Sequence, residues 1–441
     1  MQNLMTLPAS LRVKLYWSAL ASLALVIALS ATLKQLHSST RLKGDVHLIV
    51  NVGQHLLAGT DVYRHPLPDE PYPYLPGIAL LLAPLGTFPP DVFVPLFVVL
   101  NLIFAVLSFL LLCKFFVGKS FFALNPSLQI ALSFFTLLLA LRFLLYEISS
   151  GQINLLVMLL TLYGLCLHQQ KKEILGGFWI GLAMAIKLLT LPLGLWFVVK
   201  RDFKTLGGLM LGALIWLLFP SLFLGISHNF ELLHSWLLTA VLKHAPVSST
   251  IPFHDLLANH TDNISLQALI LRLTTDVVAF THEGESFRAT LILLPPALVR
   301  ALKATAILFV LSLAPLYAFL FRHCKPLISE QGGIALSLAL VPQFLPQTHQ
   351  YHFLTLLPAY FYIVYLWKVV EVRDRLFLFS TIASFATVLL TSPDIIGWRA
   401  MFLTSAFGSF TLANVLIWIA LFRVGFLAQD SSSLIPKASV V

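Results

Sequence analysis

Long apolar runs follow one another along almost the whole chain, and this feature limits the possible folds more than any other. Of the 441 residues, 58% are hydrophobic and 11% are charged, whereas soluble domains are about 45–50% apolar and about 25% charged. A run of about 20 apolar residues is long enough to cross a bilayer as a helix. The pattern therefore predicts an all-α polytopic membrane protein. It excludes a soluble globular enzyme, a disordered chain and, despite a net charge of +9, a nucleic-acid-binding domain.

The apolar runs predict a bundle of about 10–12 transmembrane or broken helices, with amphipathic helices in the outer loops. We assign residues 1–425 to one integral membrane domain and residues 426–441 to a short polar cytoplasmic tail. Several runs are too short for a straight span, so 174–187 and 188–199 are predicted to be broken helices that meet inside the protein. The runs lie at 13–33, 77–113, 127–146, 152–168, 174–187, 188–199, 205–225, 297–321, 331–346, 353–367, 376–391 and 400–422.

The distribution of basic residues predicts the orientation. When the spans alternate from a cytoplasmic N-terminus, 16 of the 28 Lys and Arg residues but only 6 of the 19 acids fall on the cytoplasmic side. Basic residues favour that side, so both termini are expected inside. The membrane itself is expected to be a bacterial inner (plasma) membrane. The long segments 34–74 and 226–296 are then extracytoplasmic, and a working site is expected on that face.

Asp45 begins a stretch whose apolar residues fall on one helical stripe as far as Leu57. Such a stripe predicts an amphipathic helix lying at the membrane surface. A carboxylate at its N-terminus has two interpretations. It serves only as a cap that the helix dipole favours, or it is a general base at the membrane boundary, tuned by partial burial.

Two amides, Gln152 and Asn154, stand at the outer entrance of a predicted span in the string Gly151-Gln152-Ile153-Asn154. Side-chain amides at such an entrance either cap the helix or hydrogen-bond sugar hydroxyls. The spacing does not decide between these two roles.

Two basic residues are candidates for anion binding. Lys187 interrupts an apolar run, where a lysine is costly and usually faces a polar cavity or a partner; an anion site, most simply for phosphate, competes with snorkelling to an interface. Arg272 ends a short helical stripe and is either solvated or bound to a carboxylate or phosphate.

His349 and His352 stand at the outer mouth of a predicted span, three residues apart. That spacing places both on one helix face. Because neither an HExxH string nor a cysteine pair accompanies them, we predict no metal site. A histidine that contacts sugar or phosphate is favoured over a merely interfacial pair.

Taken in chain order, these pieces resemble glycosyltransferase family 87, polyprenol-phosphate-mannose-dependent mannosyltransferases with the GT-C membrane fold. The resemblance covers roughly residues 40–360. At the last motif, His352 takes the place of the family histidine by its distance to Leu357, and His349 is a possible substitute. The motifs are Asp45 with Gly59–Tyr63, Tyr74-Leu75-Pro76, Gly151–Asn154, the glycine-rich helix ending in Lys187, Asn263–Leu266 with Arg272, and Pro346 with a histidine before Leu356-Leu357-Pro358.

The resemblance implies an inverting transfer of a sugar, mannose in the family, from a polyprenyl-phosphate donor to a lipid or glycan acceptor. Membrane lipids surround the enzyme, and no cofactor or metal is implied. Asp45 would act as the general base, and His352 or His349 would position a substrate. The substrate- and phosphate-binding set would be Lys187, Arg272, Gln152, Asn154, Tyr63 and Tyr74. The alternative function is a lipid-linked sugar flippase or another multi-pass transporter, which also uses broken helices and buried lysines.

Overall fold

The computed structural model describes residues 9–37, 44–64, 72–242 and 261–430. Within these residues the regular structure is helical except for one hairpin of two short strands. The N-terminal half contains α1 (Ala9–His37), α2 (Gly44–Leu57), α3 (Pro76–Leu82), α4 (Pro90–Val117), α5 (Pro126–Ser149), α6 (Asn154–Gln169), α7 (Glu173–Ile186), α8 (Leu191–Val199), α9 (Phe203–Leu218), α10 (Ser221–Leu224) and α11 (Ile226–Trp236).

The C-terminal half begins with a short amphipathic helix and the hairpin, and ends with a long helix that continues through Asp430. In order it contains α12 (Leu266–Thr274), β1 (Phe280–His282), β2 (Glu285–Phe287), α13 (Pro296–Leu320), α14 (Gly333–Ala339), α15 (Val341–Phe344), α16 (Leu357–Lys368), α17 (Arg375–Leu390), α18 (Pro393–Ala406) and α19 (Ser409–Asp430). Short 3-10 helices cover Ala83–Thr87, Phe121–Ala123, Leu188–Thr190 and Gln350–Leu356, and π-helical turns cover Leu237–Leu242 and Leu327–Gly332.

The prediction of an all-α polytopic membrane protein is confirmed. Among the described residues, six helices are long and apolar enough to cross a membrane, and a seventh span results if α17 and α18, bent by 91°, count as one. Four shorter apolar helical segments accompany them, which agrees with the prediction of broken helices. Of the predicted polar tail, residues 431–441 lie outside the described part of the chain.

The local sequence explains where several helices begin and end. Asn125 caps α5 because its side chain accepts a hydrogen bond from the Leu128 backbone N–H at 2.8 Å. Asp374 caps α17 in the same way, through the Phe377 N–H at 3.0 Å. Helix α4 begins with Pro90 and ends at Val117, because the following Gly118 has a φ of +77°, which stops the helix.

The chain breaks between residues 400 and 422, where the sequence predicts one continuous run, and that prediction is wrong. Helix α18 ends at Ala406 and α19 begins at Ser409. Gly408 between them has a φ of +84°, a conformation that ends a helix and that hydropathy alone does not reveal.

Helix α7 packs tightly against its neighbour α9. A Cβ placed on Gly177 would lie 2.0 Å from the Thr205 carbonyl oxygen, and one on Gly181 would lie 1.9 Å from that of Leu209. Glycines therefore let the two backbones touch. Since Lys187 directly follows α7, this packing fixes the position of the lysine.

Candidate active site

Several helix ends meet on one side of the bundle. Helix α6 runs from Asn154 to Gln169, and α7 returns from Glu173 to Ile186, so the start of α6 and the end of α7 lie on the same side. The turn between the two helices carries Lys171 and Lys172 on the opposite side. The 14 residues of α7 rise about 21 Å at 1.5 Å per residue. Lys187 therefore lies at the end of α7 opposite to the turn that carries Lys171 and Lys172.

Asp45 is at the start of α2 and partly buried. Its backbone N–H donates to the Ser150 carbonyl at 2.8 Å, which ties α2 to the end of α5. One carboxylate oxygen accepts hydrogen bonds from the Tyr74 hydroxyl, at 3.2 Å, and from the Gln152 side-chain amide. Burial raises the pKa of Asp45, against the opposing effects of Lys187 and these two hydrogen bonds. The carboxylate is thus held by side chains rather than used only as a helix cap.

Lys187 lies in extended backbone between α7 and the 3-10 turn that precedes α8. Its ammonium donates to Gln152 Oε1 at 3.1 Å and to the Tyr74 hydroxyl at 3.4 Å. It also lies 5.0 Å from the ring centroids of both Tyr74 and Tyr351, a range in which cation–π attraction acts. The lysine therefore faces a polar cluster inside the protein. We call Asp45, Tyr74, Gln152, Lys187 and Tyr351 the polar cluster.

Glu147, near the end of α5, is fully buried beside this cluster and is not among the predicted site residues. Its two oxygens accept hydrogen bonds from Asn154 Nδ2 at 2.8 Å and from the Leu155 backbone N–H at 3.2 Å. The carboxylate thereby binds the N-terminus of α6, where the helix dipole favours a negative charge, and its charge interacts with that of Lys187. The sequence offered one signal that could have identified Glu147: it is an acid within a predicted span, and such residues are rare and usually functional.

Tyr63 contacts the backbone of the segment that carries Tyr74. Its hydroxyl donates to the Tyr74 backbone carbonyl at 2.7 Å. Tyr72 adds a second support, since its hydroxyl donates to the Leu75 carbonyl at 3.1 Å and its ring packs edge-on against Tyr74. These two tyrosines fix the segment that carries the Tyr74 side chain. Residues 65–71, directly before this segment, lie outside the described part of the chain.

Tyr351 and His352 lie in the 3-10 helix Gln350–Leu356, and His349 directly precedes this helix. The His349 backbone N–H donates to Nδ1 of the buried His352 at 3.0 Å, so they contact each other rather than forming one α-helical face. The Tyr351 backbone carbonyl accepts a hydrogen bond from Asn154 Nδ2 at 3.4 Å. The ring centroids of Tyr351 and His352 are 4.5 Å apart. Burial lowers the pKa of His349, against the attraction of the Asp262 and Asp45 carboxylates.

Arg272 lies in a different environment. Three of its nitrogens donate to backbone carbonyls, of Asn263 at 2.8 Å, Ala406 at 3.4 Å and Ser405 at 3.5 Å. The side chain is fully buried, and burial lowers the pKa of Arg272 to about 10. These bonds join α12 to the end of α18, and none of these partners belongs to the polar cluster.

The comparison with known families bears on this arrangement. The family model of glycosyltransferase family 87 matches residues 72–281, just under half of the chain. This confirms the resemblance found in the sequence and supports a membrane glycosyltransferase. The matched range holds Tyr74, Gln152, Asn154, Lys187 and Arg272, whereas Asp45, Tyr63 and both histidines lie outside it. No curated protein matches the chain.

Proposed function

We propose that this membrane glycosyltransferase transfers mannose from a polyprenyl-phosphate donor to a lipid or glycan acceptor at the outer face of a bacterial inner membrane. The observation that carries the proposal is the pairing of Asp45 and Lys187 through Gln152 and Tyr74. One carboxylate and one ammonium in a single cluster can act on the two sides of one reacting carbon, the carboxylate on the attacking hydroxyl and the ammonium on the leaving phosphate, as a shared site requires.

The chemistry follows from the charges of the two groups. The acceptor hydroxyl oxygen forms a bond to the anomeric carbon, on the side opposite the phosphate, and inverts its configuration. The bond between that carbon and the phosphate oxygen breaks, and the electron pair leaves with the phosphate. Asp45 takes the hydroxyl proton, and Lys187 stabilises the charge that develops on the phosphate.

The remaining cluster residues would orient the substrates. Gln152 and Tyr74 contact both charged groups, so they would hold the Asp45 carboxylate and the Lys187 ammonium at a fixed distance from each other. Asn154 and His352 hold the loop that presents Tyr351, and Tyr63 buttresses the Tyr74 segment. His349 lies beside them and is the second candidate for a contact with the donor or the acceptor.

The test is transfer of radiolabelled mannose from polyprenyl-phosphate-mannose to endogenous lipid acceptors in membranes that contain the chain. Wild-type membranes should transfer the label and the Asp45→Asn variant should not, because asparagine keeps the shape but cannot accept a proton. Asp91→Asn is the matched control, since Asp91 is exposed in the first turn of α4 and its change should leave transfer intact.

Three other outcomes would overturn parts of the proposal. Equal transfer by wild type and Asp45→Asn would mean that Asp45 is a structural residue and not the general base. No transfer of mannose, with transfer of another sugar from the same lipid carrier, would overturn the sugar alone. No transfer of any sugar, together with exchange of the donor lipid between leaflets, would favour a transporter.

A further inference from the structure

We propose that Glu147 is a positioning residue that weakens the hold of Lys187 on doubly charged phosphate and so promotes release of the polyprenyl-phosphate product. This inference rests on the proposed function, because it concerns the phosphate site of the same reaction. It assigns a role to a buried carboxylate that the transfer chemistry itself leaves unused.

The geometry shows that Glu147 is built into the site. Its side chain has no exposed surface, and each oxygen accepts one N–H, from Asn154 and from Leu155. Burying a carboxylate is costly unless it is paired and hydrogen-bonded, and its charge partner here is Lys187. Arg142, five residues earlier on α5, is not that partner, since it donates to Gln350, Val388 and Thr391.

The charges of the cluster oppose strong anion binding. Lys187 faces two carboxylates, Asp45 and Glu147, both of which interact with it electrostatically. A phosphate that approaches the ammonium is therefore also repelled by both acids. Asp45 is used to accept the proton, which removes its charge during the reaction. Glu147 keeps its hydrogen bonds to Asn154 and Leu155 and takes no part in that proton transfer, so its charge acts on the donor and on the product alike.

The two phosphates of the reaction differ in charge. The donor is a phosphodiester with one negative charge, whereas the product is a phosphomonoester with about 1.5 to 2 negative charges at pH 7. A negative charge on Glu147 beside Lys187 repels the product more than the donor. Glu147 therefore shifts the relative affinity of the site from product toward donor, which favours turnover.

A purely structural role predicts the opposite result for the same variant. If Glu147 only holds the start of α6, its loss should loosen Asn154 and weaken the binding of every phosphate ligand. If its charge repels the product, Glu147→Gln should tighten product binding, because glutamine retains an acceptor oxygen and loses the charge. Glu147→Ala is less informative, since it leaves the Asn154 and Leu155 N–H groups without that acceptor.

The experiment measures inhibition of mannosyl transfer by added polyprenyl phosphate, using the purified full-length chain in lipid nanodiscs. Glu147→Gln should lower the inhibition constant by roughly tenfold, the size expected for removing one nearby unit charge at an intermediate effective dielectric. For methyl-esterified polyprenyl phosphate, which has a single charge, the inhibition constant should fall by a smaller factor. For neutral polyprenol it should not change. Glu173→Gln is the control, because Glu173 pairs with Lys204 at the other end of α7.

An unchanged or higher inhibition constant for polyprenyl phosphate in Glu147→Gln, with wild-type transfer intact, would overturn this inference alone. Wild type that transfers no sugar would overturn the proposed function and the inference with it. Should Glu147→Gln fail to fold, wild type itself provides the test. It should bind the singly charged methyl ester more tightly than polyprenyl phosphate in a thermal-shift titration, and the reverse order would refute the inference.

Discussion

Replacing Tyr74 with phenylalanine tests whether Asp45 is tuned by its hydrogen bonds. The Tyr74 hydroxyl donates to Asp45 at 3.2 Å and accepts from Lys187 at 3.4 Å, while the ring lies 5.0 Å from the ammonium. Phenylalanine keeps the ring beside Lys187 and removes only the hydroxyl. The variant therefore isolates one donor of the carboxylate.

The expected size of the effect follows from that contact. A hydrogen bond to a charged group contributes about 1.5–3 kcal/mol, and the 3.2 Å separation is long enough to favour the lower value. Since 1.36 kcal/mol corresponds to one pKa unit, the pKa of Asp45 should rise by roughly one unit. A base must be ionised, and its activity is lost as pH falls through its pKa. The acid limb of the pH–rate profile should thus move to higher pH by about that amount.

The assay is kcat/KM for mannosyl transfer, measured across the acid limb for wild type, Tyr74→Phe and Tyr72→Phe. Tyr72→Phe is the matched control because its hydroxyl donates to the Leu75 carbonyl at 3.1 Å instead of to Asp45. It should leave the acid limb in place. An acid limb that stays fixed or moves to lower pH in Tyr74→Phe would refute the reasoning.

Three further predictions concern the cluster and its supports. Lys187→Met should lower kcat/KM by at least ~100-fold in the mannosyl-transfer assay, with Lys187→Arg less impaired because it keeps the charge. Gly151→Ala should destabilise the fold by about 1–2 kcal/mol, measured as a lower Tm, because Gly151 has a φ of +65° and a Cβ would lie 3.0 Å from Gln35 Oε1. Gly59→Ala is the control: Gly59 has a φ of +82° and open space around it, so its loss of Tm should report the backbone conformation alone, without a steric clash. Arg272→Met should lower Tm without raising the donor KM, whereas a raised KM at unchanged Tm would instead place phosphate at Arg272.

Local sequence patterns predicted the helical parts of the site well. The amphipathic stripe after Asp45 corresponds to α2, which begins at Gly44 and ends at Leu57. The short runs on either side of Lys187 correspond to α7 and α8, with the lysine at the break. Both predictions depend on periodicity and length, which act within one segment and are visible in the sequence.

Contacts between distant segments were not predictable in the same way. Glu147 and Tyr351 became part of the site only because α5 and the 3-10 helix meet beside Lys187. The sequence marks Glu147 as an acid near the end of an apolar run, but it does not identify its partner. For Arg272, a short amphipathic stripe fits both a phosphate contact and the observed bonds to backbone carbonyls.

Lys187 shows why the partners of a membrane-embedded charge are set by the fold. No acid lies within ten residues of it in the sequence, so local pairing was excluded, and a distant partner, a ligand or snorkelling to an interface remained. The structure supplies Glu147 and Asp45 from two other helices, and Gln152 and Tyr74 complete the contacts. Because these elements meet only in the folded bundle, the ammonium has partners before any donor binds. Under the proposed function, a donor phosphate would compete with carboxylates that are already in place, and its affinity would depend on how weakly those carboxylates hold the lysine.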